Sequence, residues 1–359
     1  MDWDNLCFNI AAFIAGVFVL DYGADKFVDH TVVVGRRLGI SPTLIALLTA
    51  GAEYEELAVV VAAVLQHRSP LALGNVMGSS ISNILGAFSL GLLCHPGRME
   101  FDSTAKMYSA LLLFVTTLVV GMAVFDQLNQ ATGGILIALF VIYLISIGYA
   151  IYRDIAEPPQ MSDSDSDSED GVPTSQSHQI PPSETDPLLA SPNSPPPDED
   201  NRSLSRPLYY HLLQLLFGLL ALSLSGYILA HSAGAIADAL HLSGTVFGLT
   251  VIAFATTLPE KFISVLSGFR GQGGIIVATT AGSNVFLLTL CVGIVAASGG
   301  TADQPKADTF VLFDLVTVWV SALLLVAVVF LRPPSRVSGF VLLVAYLVFL
   351  VLEFTVYKR

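Results

Sequence analysis

Glu56 and Glu260 sit in two otherwise apolar stretches, 204 positions apart. Gly78 and Gly282, and Ser79 and Ser283, differ by the same 204, so the glutamate-to-serine spacing is 23 in both places. An ionised carboxylate in the hydrocarbon core is costly; the insertion scale gives roughly +2.5 to +3.5 kcal/mol for Asp, Lys or Arg at a helix centre. Two glutamates at equivalent positions therefore need a compensating positive charge. The chemistry open to them is to face one another and hold a hard cation, and calcium prefers such carboxylate oxygens.

The neighbouring residues extend that donor set. Pro259 has no N–H for the carbonyl of Ala255 and its ring clashes there, which predicts a kink beside Glu260. Freed carbonyls and the hydroxyls of Thr256 and Thr257 become neutral oxygen ligands, and irregular backbone at such depth is tolerated only against protein or a cavity. Ser79 and Asn83, four apart, share a helix face, while Gly74 and Gly78 let a neighbouring backbone approach closely. Asp25, Lys26, Asp29 and Asp314 are expected to play structural roles.

The elements that must position these residues are membrane-spanning helices. The 359-residue chain is 53% hydrophobic and only 13% charged, with a mean hydropathy of +0.70, more apolar than a soluble domain of this length needs. Ten stretches are long enough to cross a bilayer: 7–29, 41–66, 71–94, 108–126, 133–153, 208–232, 244–267, 273–297, 309–331 and 337–356. The first reads as a retained helix, since it lacks a basic leader and a cleavage site. The fold class is thus an all-α polytopic membrane protein, with ten transmembrane helices as two inverted five-helix repeats. An odd number of helices per half inverts the second repeat, so equivalent residues meet near the midplane, at one site between the halves.

The domain plan is a first repeat at 1–154, a linker at 155–206 and a second repeat at 207–359. Residues 155–201 contain eleven acids and no Lys or Arg, so they carry most of the formal net charge of −13. This Ser-, Pro- and Asp-rich segment cannot bury enough apolar surface to offset chain entropy and is expected to be disordered. With the amino terminus outside, ten Lys or Arg fall on the linker's side and four on the other, which places the linker in the cytosol. There Ser162, Ser164, Ser166 and Ser168, each followed by an acid, suit an acid-directed kinase. Glu184 to Leu189 has the form of an acidic dileucine signal for a sorting adaptor. The three cysteines, Cys7, Cys94 and Cys291, read as small hydrophobes, and neither they nor the histidines have the spacing of a zinc site.

These motifs resemble those of the cation/calcium antiporter superfamily, the sodium/calcium exchangers and their relatives. The second half, FATTLPEKF with AGSNVF, is similar to that family's two signatures; the first keeps EEL and GNVMGSS-x-S-N-I-L, and GADKFVD at 23–29 resembles the end of its first helix. The resemblance implies that Glu56 and Glu260 bind the ion, with hydroxyls of Thr256, Thr257, Ser79 and Ser283 and the amide of Asn83. It also implies alternating access, with the first and sixth helices sliding past the core. Ala52 and Glu53 depart from the family's Thr-Ser pair, Glu55 replaces its proline, Ser80 and Ser82 alter its GSN-x-F, and Leu287 stands where Asn or Asp would mirror Asn83. Glu53 adds a carboxylate one turn from Glu56, so charge shifts to one half. Clustered carboxylates favour proton exchange over sodium coupling.

The expected function is calcium antiport against protons or sodium, with no permanently bound cofactor and no enzyme chemistry. The alternatives are an exchanger of manganese or magnesium, or a non-transporting scaffold or receptor that inherited the fold. Expected partners are these cations, the lipid bilayer, and a kinase and sorting adaptor at the linker; no nucleic acid is expected. A vacuolar or endosomal membrane is the expected location, with the plasma membrane next.

Overall fold

The computed structural model describes residues 3–39, 53–152, 207–299, 311–331 and 335–357. The linker with its serines and dileucine, the first part of the stretch 41–66, and Ala52 lie outside the described residues. Among the described residues every regular element is helical. Eight helices are long and apolar enough to cross a membrane, or nine when one bent pair is counted as a span. Of the remaining expected stretch, 41–66, only the helix Tyr54–Leu65 is described.

In chain order the helices are α1 (Trp3–Arg37), α2 (Tyr54–Leu65), α3 (Ser69–Cys94), α4 (Ser103–Val124), α5 (Gln130–Tyr152), α6 (Leu208–Ala239), α7 (Gly244–Thr256), α8 (Leu258–Phe269), α9 (Gly273–Ala297), α10 (Leu312–Leu331) and α11 (Arg336–Thr355). Local signals set several of these starts. The Asp102 carboxylate accepts from the Ala105 N–H at 2.8 Å to cap α4, and the Ser243 hydroxyl accepts from Val246 N–H at 3.2 Å to cap α7. Asp314, buried at the start of α10, accepts from the Val311 N–H at 3.2 Å, a structural role. Lys26 lies 5.6 Å from the Tyr22 ring centre, and Asp25 and Asp29 are exposed.

The 204-residue offset reappears in the helix bounds: α2 and α8 are both twelve residues long and start at 54 and 258. α3 and α9 start at 69 and 273, and each widens into a π-helical turn, Ser82–Phe88 and Leu287–Cys291. A third π-helical turn, Gly248–Ile252, interrupts α7. Such turns leave backbone carbonyls short of their usual partners. Here the Thr250 and Thr289 hydroxyls donate to the carbonyls four residues back.

α3 and α9 form the buried centre, with 89% and 78% of their best spanning windows inside the protein against 11% for α5. Large apolar side chains such as Phe8, Phe18, Leu220 and Val351 remain exposed, as a lipid-facing perimeter requires. α1 and α6 lie along one another: Gly23 packs against Ala221 and Leu222, Gly218 packs against Phe27, and the Tyr22 and Phe217 rings meet edge to face. His30 and His211 close the same contact with ring nitrogens 3.0 Å apart.

α3 and α7 cross closely. A Cβ placed on Gly78 would run into the carbonyl oxygen of Leu249, and one on Gly74 into that of Thr245. Backbone opposes the added atom, so no side chain can swing aside. Gly78→Ala should destabilise the protein by about 1–3 kcal/mol, the usual scale of overpacking, lowering the melting temperature of the detergent-purified chain. Gly121→Ala, on a surface with nothing within 4 Å, should leave it unchanged. Equal melting of the two variants would contradict the close crossing.

Candidate cation site

The glutamates occupy corresponding places on two short helices. α8 begins directly after Thr257, where the backbone leaves helical geometry (φ −89°, ψ 17°), and Pro259 sits in its first turn. Proline is welcome there because the first N–H groups have no partner within the helix. The break bends α7 and α8 by 49°, which is the expected kink displaced two residues before the proline. Glu56 lies in the first turn of α2 and Glu260 in the first turn of α8. A helix start carries roughly half a positive charge, so both carboxylates gain a favourable dipole.

Glu56 is fully buried, Glu53 is 5% exposed and Glu260 is half-buried. Glu53, at the residue preceding α2, does not cap its own helix. Its Oε1 instead accepts from the Asn83 amide at 3.2 Å, and Ser283 and Glu56 stand beside the same carboxylate. Glu56 is within electrostatic range of Glu260 and Glu55. Asp21 of α1 lies in range of Glu55 and Glu260. The structure thus brings together Glu53, Glu56, Glu260, Asn83 and Ser283. Ser79 is buried on the same helix as Asn83.

Several oxygens here have no hydrogen-bond partner: Glu53 Oε2, both oxygens of Glu56, Ser79 Oγ, Asn83 Oδ1 and Glu260 Oε2. Leaving one buried polar group unpaired costs about 1–3 kcal/mol, and more when it is charged. Grouped acceptors of this kind are what a desolvated hard cation would satisfy. Among the described residues no three His, Cys, Asp or Glu side chains form a metal-binding group on their own. Hydroxyl and amide oxygens would have to complete the coordination.

The threonines behave differently from the glutamates. The Thr256 hydroxyl donates to the Ile252 carbonyl at 3.1 Å, which leaves its lone pairs available. The Thr257 hydroxyl donates to Ala253 at 2.6 Å and is also engaged by Lys261 and Ser82. Leu287, where the repeat would place a partner for Asn83, is fully buried and supplies no oxygen.

Sequence reasoning missed Lys261, Ser82, Tyr346, Asn75 and Asn284. Lys261 is only 8% exposed, although it follows Glu260 directly. Asn75 and Asn284 are buried, with side-chain oxygens that lack partners. The usable signal for Lys261 was a charge inside the apolar stretch 244–267.

Buried carboxylates at the starts of two matched short helices, packed between two matching halves, define an integral membrane protein built to handle cations. The chain belongs to the sodium/calcium exchanger protein family, whose sequence model matches residues 8–148 and 210–355. It is 30% identical to the putative antiporter CaxA of Alkalimonas amylolytica over 344 residues, covering 93% of this chain and 95% of that one. It is 24% identical to the sodium/calcium exchanger MaX1 of Methanosarcina acetivorans over 371 residues, covering 96% and 98%. In fold it is similar to the sodium-calcium exchanger NCX_Mj, with a TM-score of 0.56 at 20% identity over 96% of this chain and 97% of that one. It is also similar to YfkE, with a TM-score of 0.66 at 15% identity over 99% and 94%.

If the unpartnered oxygens receive a cation, calcium at a hundred times its Kd should stabilise the folded protein by about 2.7 kcal/mol. The gain would be read as a rise in melting temperature from the fluorescence of the two tryptophans, Trp3 and Trp319. Glu56→Gln should abolish the rise; an undiminished rise would exclude Glu56 from the site.

Proposed function

We propose that this protein is a secondary antiporter that carries calcium across a membrane in exchange for sodium or protons. The observation that carries this reading is the group of partnerless buried oxygens on Glu53, Glu56, Glu260, Ser79 and Asn83. Their hard-oxygen character suits calcium, and the proteins that this chain is similar to include sodium/calcium exchangers. Glu56 and Glu260 are the central ligands; Glu53, Ser79, Asn83, Thr256 and Ser283 contribute around them, while Thr257 Oγ1, already held by Ala253, Lys261 and Ser82, borders the site.

Three acids cannot all remain ionised and unpaired out of water, so the site must carry positive charge through every step. Either calcium or its counter-ions supply it, which couples the two movements. Alternating access follows when α1 and α6, which touch one another through small residues, shift against α2, α3, α8 and α9. Residues 1–154 and 207–359 would form the two inverted repeats. Residues 155–206 would form a cytosolic linker open to a kinase and a sorting adaptor, in a vacuolar or endosomal membrane.

The protein in sealed vesicles should take up calcium against an imposed sodium or proton gradient, and Glu260→Gln should slow that uptake at least tenfold. Tenfold corresponds to about 1.4 kcal/mol, a modest demand on a lost charged ligand. Uptake that needs neither gradient, or survives the substitution, would refute the reading.

A further inference from the structure

Lys261 is the buried cation that the proposed mechanism leaves unused. Its Nζ donates to Ser82 Oγ at 2.9 Å, to the Thr257 carbonyl at 3.1 Å and to Thr257 Oγ1. The Phe254 ring centre lies 4.9 Å away. The proton inventory around this nitrogen is closed. Thr257 Oγ1 gives its own proton to Ala253, so it can only accept from its other neighbours. Ser82 Oγ, 2.9 Å from it, must then donate to it, which leaves Ser82 to accept from Tyr346 at 3.1 Å and from Lys261. The Thr257 carbonyl only accepts. Nζ therefore supplies three N–H donors to three acceptors, as an ammonium does.

No ion pair between Lys261 and an acid is found among the described residues. Hydroxyl and carbonyl oxygens with an aromatic face instead give Nζ the surroundings of a bound monovalent cation. The charge still acts on the carboxylates, since Glu260, Glu56 and Glu53 all lie within its electrostatic range. The two halves differ here. Position 57, which is 204 residues earlier, is leucine; glutamate stands at 53 for Thr257, and Phe286 stands for Ser82. Among the described residues the pocket is found once, on the π-helical turn Ser82–Phe88, with Gly86 beside the Lys261 stem.

Building on the antiport reading, we propose that the Lys261 ammonium is a tethered cation filling one monovalent position of the site, so that each cycle moves one fewer counter-ion per calcium. It offsets the carboxylate that Glu53 adds, and it fixes the coupling ratio by occupying a place a mobile ion would otherwise take.

The test is the counter-ion to calcium ratio of the full-length protein in vesicles, measured from the reversal potential under imposed ion gradients. Lys261→Met and Lys261→Gln should each raise that ratio by one and render transport more sensitive to sodium, while Lys261→Arg should keep the original ratio. An unchanged ratio in either active neutral variant would overturn the proposal and leave the antiport reading intact. Absence of calcium transport by the unaltered protein would overturn both. Where a neutral variant does not transport, the slope of its melting temperature against log sodium concentration decides. One additional bound sodium supports the tethered cation; an unchanged slope, or failure of both neutral variants to fold, assigns Lys261 to structure alone.

Discussion

Carboxylates held out of water impose the constraint on which the rest of this structure depends. Glu53 and Glu56 are buried between helices, and Glu260 turns one oxygen into the same interior. Such groups persist in an apolar setting only if something positive is always near. Starting α2 and α8 at the depth of the acids supplies part of it, because each helix start aims its unpaired N–H groups and dipole towards them. The break after Thr257 is what creates the start of α8. An unbroken helix would have tied up those N–H groups in its own ladder.

Broken helices leave backbone groups that must be absorbed by protein, since lipid offers no hydrogen bonds. α3 and α9 pack beside α8 and are the most buried of the described spans. Their glycines allow backbone-to-backbone contact at Gly74 and Gly78, and their π-helical turns place extra polar groups along the same faces. Thr289 in the α9 turn and Thr250 in the α7 turn each satisfy a carbonyl four residues back. Unpartnered oxygens remain on Glu53, Glu56, Glu260, Ser79 and Asn83, with further unpartnered atoms on Asn75, Ser80 and Asn284.

Much of this organisation was legible in the sequence because duplication supplied a second reading of the same plan. The 204-residue offset found Glu56 with Glu260 and Ser79 with Ser283, and the helix bounds repeat it to the residue in α2 and α8. Spans were legible from hydropathy because lipid leaves few ways to cross it. The same reasoning hid Lys261: repeat comparison promotes positions that match, and this one faces Leu57 across the offset. It also treated Thr257 as a free ligand, since a sequence shows that a hydroxyl is present but not where its proton goes. The π-helical turn that sets Ser82 opposite Lys261 is a register change with no composition of its own.

Divergence between the halves follows an electrostatic rule. The first half carries carboxylates at Glu53 and Glu55 and the second half an ammonium at Lys261, and none has a charged counterpart at its mirror position, where Thr257, Pro259 and Leu57 stand. An added buried charge of one sign would raise the cost of the empty site by several kcal/mol. An ammonium in the same region offsets one of the two added carboxylates. The Glu53 carboxylate is held by Asn83 and the Lys261 ammonium by Ser82, adjacent residues on a single π-helical turn. Because consecutive residues of a helix point in different directions, that turn can hold the two opposite charges apart. Direct contact would have joined them into an inert ion pair; apart, the carboxylate keeps an oxygen free and the ammonium keeps its field on all three acids.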